Sequence, residues 1–332
     1  MSATPRSLVV RTPGQLAAVA QRMVGYEVRR SLVVMALAGN RPGMIVRVDL
    51  PDTDEDLNAV AAHVIPALIR HEVTTVAVLA FEDTEGESTP ALESMTMACT
   101  GAGITVETVA VARDGMAYTP GHPFTDPSPV ALTPAQSACF PSGPLSSRDA
   151  LSERFRAAVP HEVYTALQAR RGHTTREDAL SAWAQILTVT GQATPVTDLP
   201  AEVIAHAALA LAHVTTRDAL MAWLTPGTLP LDLLPTPLVE ALKAALPAAT
   251  WAADPQDRER LRERVRAFCR CIPDAHAVPV LTLTAHLEWW AGDGALSRTA
   301  LDLARALDPD YRLAALLDRM LTEGIRVGEP LR

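Results

Sequence analysis

The sequence predicts an N-terminal α/β domain with a mixed sheet in three layers, followed by an all-α helical-repeat domain that closes in a tetratricopeptide-like hairpin. Three observations carry this prediction. Short β-branched runs alternate with amphipathic segments through residues 1–120, a Pro/Ser/Thr-rich stretch fills 121–146 and reads as a linker, and apolar spacing is helical throughout 147–325. A chain of 332 residues exceeds one ordinary core, which also favours two domains.

The elements follow in order. Thr12 before Pro13 opens a helix that runs to Val24, and Gly25 ends it. Ser31–Ala38 (SLVVMALA) and Met44–Leu50 (MIVRVDL) read as strands of a hairpin joined through the turn-rich residues 39–43. Asp52–Arg70 carries Leu57, Val60, Ala61, Val64 and Leu68 at helical spacing, with Thr53 and Asp56 placed as a capping pair and Pro66 expected to kink the helix. Thr75–Phe81 (TVAVLAF) is apolar almost throughout, as a strand covered on both faces must be. A helix over Pro90–Cys99 leads through Gly101 and Gly103 to a strand at Ile104–Ala112, and Arg113-Asp114-Gly115 makes a tight turn before Met116–Thr119.

From Ser147 onward no segment has the pattern of a strand. Helices are predicted at Arg148–Ala169, Thr175–Thr190, Pro200–His213, Thr216–Leu224, Thr236–Leu246, Pro255–Cys271, His276–Ala291, Ala295–Leu307 and Pro309–Thr322. A weak repeat relates TTREDALSAW, ending at Trp183, to TTRDALMAW, ending at Trp223. Ala285, Ser297, Ala304 and Pro309 fall where a tetratricopeptide-type hairpin needs small residues and a terminating proline, with Gly292-Asp293 at its turn.

Composition narrows the function classes. A formal net charge of -9 argues against an extended nucleic-acid track, since phosphate contacts need clustered cations. No run approaches the roughly 20 apolar residues of a membrane span, and residues 1–24 lack the apolar core of a signal peptide, so the expected location is the cytoplasm. Four scattered cysteines fit buried or incidental thiols in a reducing compartment.

The segments MVGYEVRRSLVVMAL, RVDLP, LSSRDAL and WWAGDGALSRTALDLARALDPDYRLAALL resemble the actinobacterial family known as domain of unknown function 4192, over nearly the whole chain. The resemblance implies the fold order above and carries no activity or cofactor with it. It also implies a cysteine-containing segment after the α/β domain, whereas Tyr118–Pro129 here contains no cysteine.

Chemistry-bearing patterns are few. No phosphate-binding loop or dinucleotide fingerprint is present, and the only lysine, Lys243, lies in the amphipathic EALKAALP. His71-Glu72 and His161-Glu162 lack the second histidine of a zinc-protease helix. Cys269 and Cys271 with His276 and His286 have ligand chemistry. A one-residue gap on a helix turns the two sulfurs about 200° apart, so these read as packing residues and no metal or other cofactor is expected. The alternating Arg258, Arg260, Arg262, Arg264 and Arg266, interleaved with Asp257, Glu259 and Glu263, read as a solvated, self-paired helix face.

A ligand site is expected, if anywhere, at the strand ends of the α/β domain. Arg47 and Asp49 share one face of their strand, and Glu82 and Asp83 follow the carboxyl end of the central strand, where open α/β sheets hold ligands. Tyr26 and Ser31 sit at the mouth of the first strand. Each also has a structural reading, as an ion pair, an acidic loop or a packing residue. Two classes therefore stand. One is a cytosolic protein-interaction or scaffold module that presents its helical half to a partner; the other is a small-molecule-binding protein or enzyme using the strand-end residues.

Overall fold

The computed structural model describes residues 9–39, 41–51, 53–121, 126–140, 145, 147–189 and 193–325. The chain divides into two compact units, Met1–Arg148 and Asp149–Arg332.

In the first unit, α1 (Pro13–Val24) starts where Thr12 accepts a hydrogen bond from the Gln15 amide at 3.2 Å and ends at Gly25, whose φ of 90° is one that only glycine adopts without strain. β1 (Ser31–Ala38) and β2 (Arg41–Asp49) pair antiparallel. β2 begins ahead of the expected Met44, because Arg41 and Pro42 pair with Ala38 and Leu37 across an irregularity between Met35 and Leu37. α2 (Asp54–Arg70) is capped by Thr53 as expected and continues as one helix through Pro66. β3 (Thr75–Phe81) leads through α3 (Thr89–Gly101) into β4 (Thr105–Arg113), which runs parallel to it, and β5 (Met116–Tyr118) and β6 (Ser128–Pro129) complete the sheet. The order β2-β1-β3-β4-β5-β6 is mixed, with β3–β4 the parallel neighbours and the other pairs antiparallel.

The two-residue period of the strands decides which helix covers which side. Leu32, Val34, Val76, Val78 and Ala80 form one cluster with Val64 and Leu68 of α2 and Leu92, Met95 and Cys99 of α3. The opposite pleat, Val33, Met35, Ala77 and Leu79, is buried too, and α1 touches β2, β4, β5 and β6. Part of the Pro/Ser/Thr-rich stretch packs on α1. Ser128 Oγ accepts from the Gly14 amide at 2.8 Å, and a Cβ at Gly14 would stand 2.2 Å from the Pro129 carbonyl oxygen. The short α4 (Pro134–Ser137) places Gln136 so that its amide donates to the Val9 carbonyl at 2.6 Å and to Gln15 at 3.1 Å.

The second unit is helical. It contains α5 (Arg148–Ser152, beginning at the boundary), α6 (His161–Arg170), α7 (Arg176–Leu187), α8 (Ala201–Ala210), α9 (Val214–Leu224), α10 (Thr236–Ala245), α11 (Pro255–Arg270), α12 (Asp274–Trp290), α13 (Gly294–Leu307) and α14 (Arg312–Thr322). The single helix expected over Arg148–Ala169 is instead two, since Pro160 disfavours a helical residue before it and itself precedes the first turn of α6. α14 likewise starts three residues after Pro309, because Asp308 turns the chain and accepts from the Asp310 amide at 3.1 Å.

α12 touches α8, α9, α11, α13 and α14, which explains a helix that is apolar nearly all round. Trp183 and Trp251 are fully buried, each indole N–H donating to a carbonyl: Ala207 at 3.1 Å and Leu224 at 3.3 Å. Among the described residues no helix is long and apolar enough to cross a membrane.

Candidate functional site

The strand-end residues of the first unit separate into two groups. On the α1 side of the sheet, Ser31 pairs with Asp49 and Val33 with Arg47, so alternate residues of β2 share that pleat. The Arg47 guanidinium donates from Nε to Ser31 Oγ at 3.0 Å, pairs with Asp49 through Nη2, and lies over the Tyr26 ring at 5.9 Å from the centroid. Tyr26 and Ser31 are buried, Arg47 is half-buried and Asp49 is exposed. Four of the six residues singled out in the sequence thus meet at one place.

Glu82 is committed elsewhere. Its carboxylate is buried and accepts from Arg113 Nη1 at 2.7 Å, from Ser88 Oγ at 2.7 Å, and from the amides of Ser88 and Gly86 at 3.3 Å each. It therefore ties the turn before α3 to the end of β4. Asp83 is exposed, and its amide donates to Glu87 at 2.5 Å. Burial works against the Glu87 charge, but the Asp83 and Thr84 amides and the Arg30 guanidinium hold its carboxyl below the usual value. The acidic run 82–87 is an internally hydrogen-bonded turn. A separate open recess of ≈ 460 Å³ is lined by Val9, Arg11, Gln15, Thr133, Ala135, Gln136 and Cys139.

A charge cluster of the second unit corrects the reading of the arginine ladder as a solvated face. Arg266 is 1% exposed and Glu288 of α12 is fully buried. Arg266 donates to Glu288 at 2.7 Å, to Glu259 at 2.7 Å and to Glu263 at 3.1 Å. Arg262 donates from Nε to Glu288 at 2.6 Å, from Nη1 to Glu259 at 2.5 Å and from Nη2 to Asp293 at 2.8 Å. Arg264 turns the other way and donates to the carbonyls of Gln185 and Ile186 near the end of α7, and to that of Thr194. Burial pushes the Glu288 carboxyl upward against the pull of Arg262 and Arg266. Burial also opposes the two guanidinium charges, yet the surrounding carboxylates hold both above the ordinary arginine value. With two guanidiniums at hydrogen-bond distance, the group is held as ions.

Glu288 escaped the sequence reading, although a signal existed. It is the lone acid of α12 after Asp274, set in an apolar helix, and such a charge must find a partner.

The Cys269/Cys271/His276/His286 group does not gather around one point. The Cys269 thiol lies 3.0 Å from Thr284 Oγ1, and burial pushes its pKa up to about 12. Burial also raises Cys271. His286 is buried, 3.3 Å from Thr225 Oγ1 and stacked on Trp289 at 5.4 Å, and burial lowers its pKa to about 4. Among the described residues no three His, Cys, Asp or Glu side chains are grouped to hold a metal ion.

Fold and geometry define a class: a mixed six-stranded α/β unit followed by a helical unit whose buried charges are neutralised internally. Within that class the chain belongs to the family described as domain of unknown function (DUF4192), whose profile matches residues 13–327. Comparison with curated proteins and with solved structures gives no match.

Proposed function

We propose that the protein is a cytosolic protein-interaction module whose helical unit receives a partner chain. The observation that supports this is the exposure of large apolar side chains on that unit, Leu233 at 77% and Leu316 at 54% among them, while its buried ions bond to one another. A tetratricopeptide-like character of α12 and α13 supports the same reading. Ser297 Oγ donates to the Ala285 carbonyl at 2.8 Å, Ala285 and Ala304 are fully buried, and Gly292 turns with φ 86°. The two Trp-ending segments agree less well as a repeat. Thr175 caps α7 through its side chain, whereas Thr215 and Thr216 lie inside the first turn of α9. A cytosolic location is supported by four free thiols, three of them buried.

The test is native mass spectrometry of the protein purified from its own host, beside the Leu233→Asp and Leu316→Asp variants. The reading requires a defined protein partner in stoichiometric complex, lost from a variant whose melting temperature is unchanged. No protein partner, or equal retention by both variants, refutes it. The second reading is a small-molecule site at Tyr26, Ser31, Arg47 and Asp49, with Glu82 and Asp83 shaping the nearby turn. It is favoured by the half-buried guanidinium on an aromatic ring. It requires a small-molecule mass on the purified protein that disappears in Arg47→Met.

A further inference from the structure

The two edges of the sheet are treated differently. At one end β6 is only Ser128–Pro129, and α1 closes on it through Gly14. At the other end β2 spans Arg41–Asp49, and among the described residues its backbone makes no hydrogen bond beyond those to β1. A long open edge is a template for another strand. Edges that avoid pairing carry proline or charge along their length; here Pro42 is confined to one end, and Gly43 through Val46 carry no charge.

We propose that β2 pairs antiparallel with β2 of a second copy, Ile45 opposite its own counterpart, joining two six-stranded sheets into one. The partner is identified as a second copy by the self-complementarity of this register. Met44 falls opposite Val46, apolar against apolar on the face that packs against α2 and α3. Arg47 falls opposite Gly43, whose missing side chain leaves room for the guanidinium. A two-fold axis perpendicular to the sheet keeps each pleat on its own side, so the faces covered by α2 and α3 in the two copies lie on the same side. Shifting the register by two residues in one direction sets Arg47 against Ile45, a charge against an apolar side chain, and in the other it sets Val46 against Pro42, which has no amide hydrogen to donate.

The test measures the association of the full chain by sedimentation over micromolar concentrations, with Ile45→Lys and Ile45→Cys. A dimer is expected. Ile45→Lys brings two like charges together at the axis and weakens association by about tenfold or more. Ile45→Cys closes an intermolecular disulfide under mild oxidation while the dimer persists. A chain that stays monomeric, a dimer indifferent to Ile45→Lys, or an Ile45→Cys dimer that forms no such disulfide overturns the proposal. The cysteine variant decides the matter even if the lysine variant folds poorly. None of these readouts depends on a partner for the helical unit.

Discussion

Replacing Glu288 by alanine leaves the buried Arg266 guanidinium and the half-buried Arg262 guanidinium facing the space where their shared counter-ion stood. Removing one member of a buried ion pair costs about 3–5 kcal/mol, because the other charge stays desolvated. Here the loss falls toward the lower bound. Arg266 keeps Glu259 at 2.7 Å and Glu263 at 3.1 Å, and Arg262 keeps Asp293 at 2.8 Å. Those remaining acids are partly exposed, so they replace only part of what a fully buried carboxylate supplies. The expected destabilisation is about 3 kcal/mol, which for a unit of this size lowers the melting temperature by about 6–12 °C. Calorimetry reads the shift directly, and urea unfolding supplies an independent free energy. A triple replacement, Arg262→Met, Arg266→Met and Glu288→Met, removes the charges together and is expected to lie much closer to the parent than Glu288→Ala alone. A Glu288→Ala melting point within about 2 °C of the parent refutes the argument. A triple variant worse than the single one refutes the claim that unpaired charge is the cause.

Three other outcomes follow from the same geometry. His286 is held near pKa 4 in the folded protein against about 6.5 in an unfolded chain, so the folded state binds fewer protons. Its contribution is present above pH 6.5 and is lost as pH falls toward 4, about 3 kcal/mol in full; urea midpoints at pH 7 and 4.5 should fall less in His286→Leu than in the parent. Gly14→Ala should cost about 1–3 kcal/mol as an overpacked contact, with faster proteolysis within residues 126–140, because its Cβ meets the Pro129 carbonyl; unchanged stability and cleavage would count against that contact. Thiol titration of the folded protein should label Cys139 first, and Cys139→Ser should abolish that phase, since Cys99, Cys269 and Cys271 are buried and burial raises all three. Rapid labelling of Cys269 would contradict its contact with Thr284.

How much of this was legible depends on the range of the interaction concerned. The Thr12 cap, the Gly25 stop and the Thr53 cap involve residues within a turn of one another, and they stand where the sequence places them. The shared face of Arg47 and Asp49 follows from the two-residue period of a strand, and the apolar run of β3 announced a strand covered on both sides. Glu82 was visible as an acid at a strand end, but its engagement by Arg113 and Ser88 required β4 and the start of α3 to arrive beside it. The arginine ladder was legible as self-paired, because Glu259 and Glu263 lie within one or two turns of Arg262 and Arg266. Its burial was not, since that depends on Glu288 from the next helix.

The sequence alone determined the order of an α/β unit and a helical unit, the caps, the pleats and the family. Each is set by backbone geometry and side-chain period acting over a few residues. Only the tertiary structure decided which charges are buried, which strand edge is closed by α1, and which strand-end residues meet. Those depend on contacts between segments far apart in the chain, where no local period records the partner.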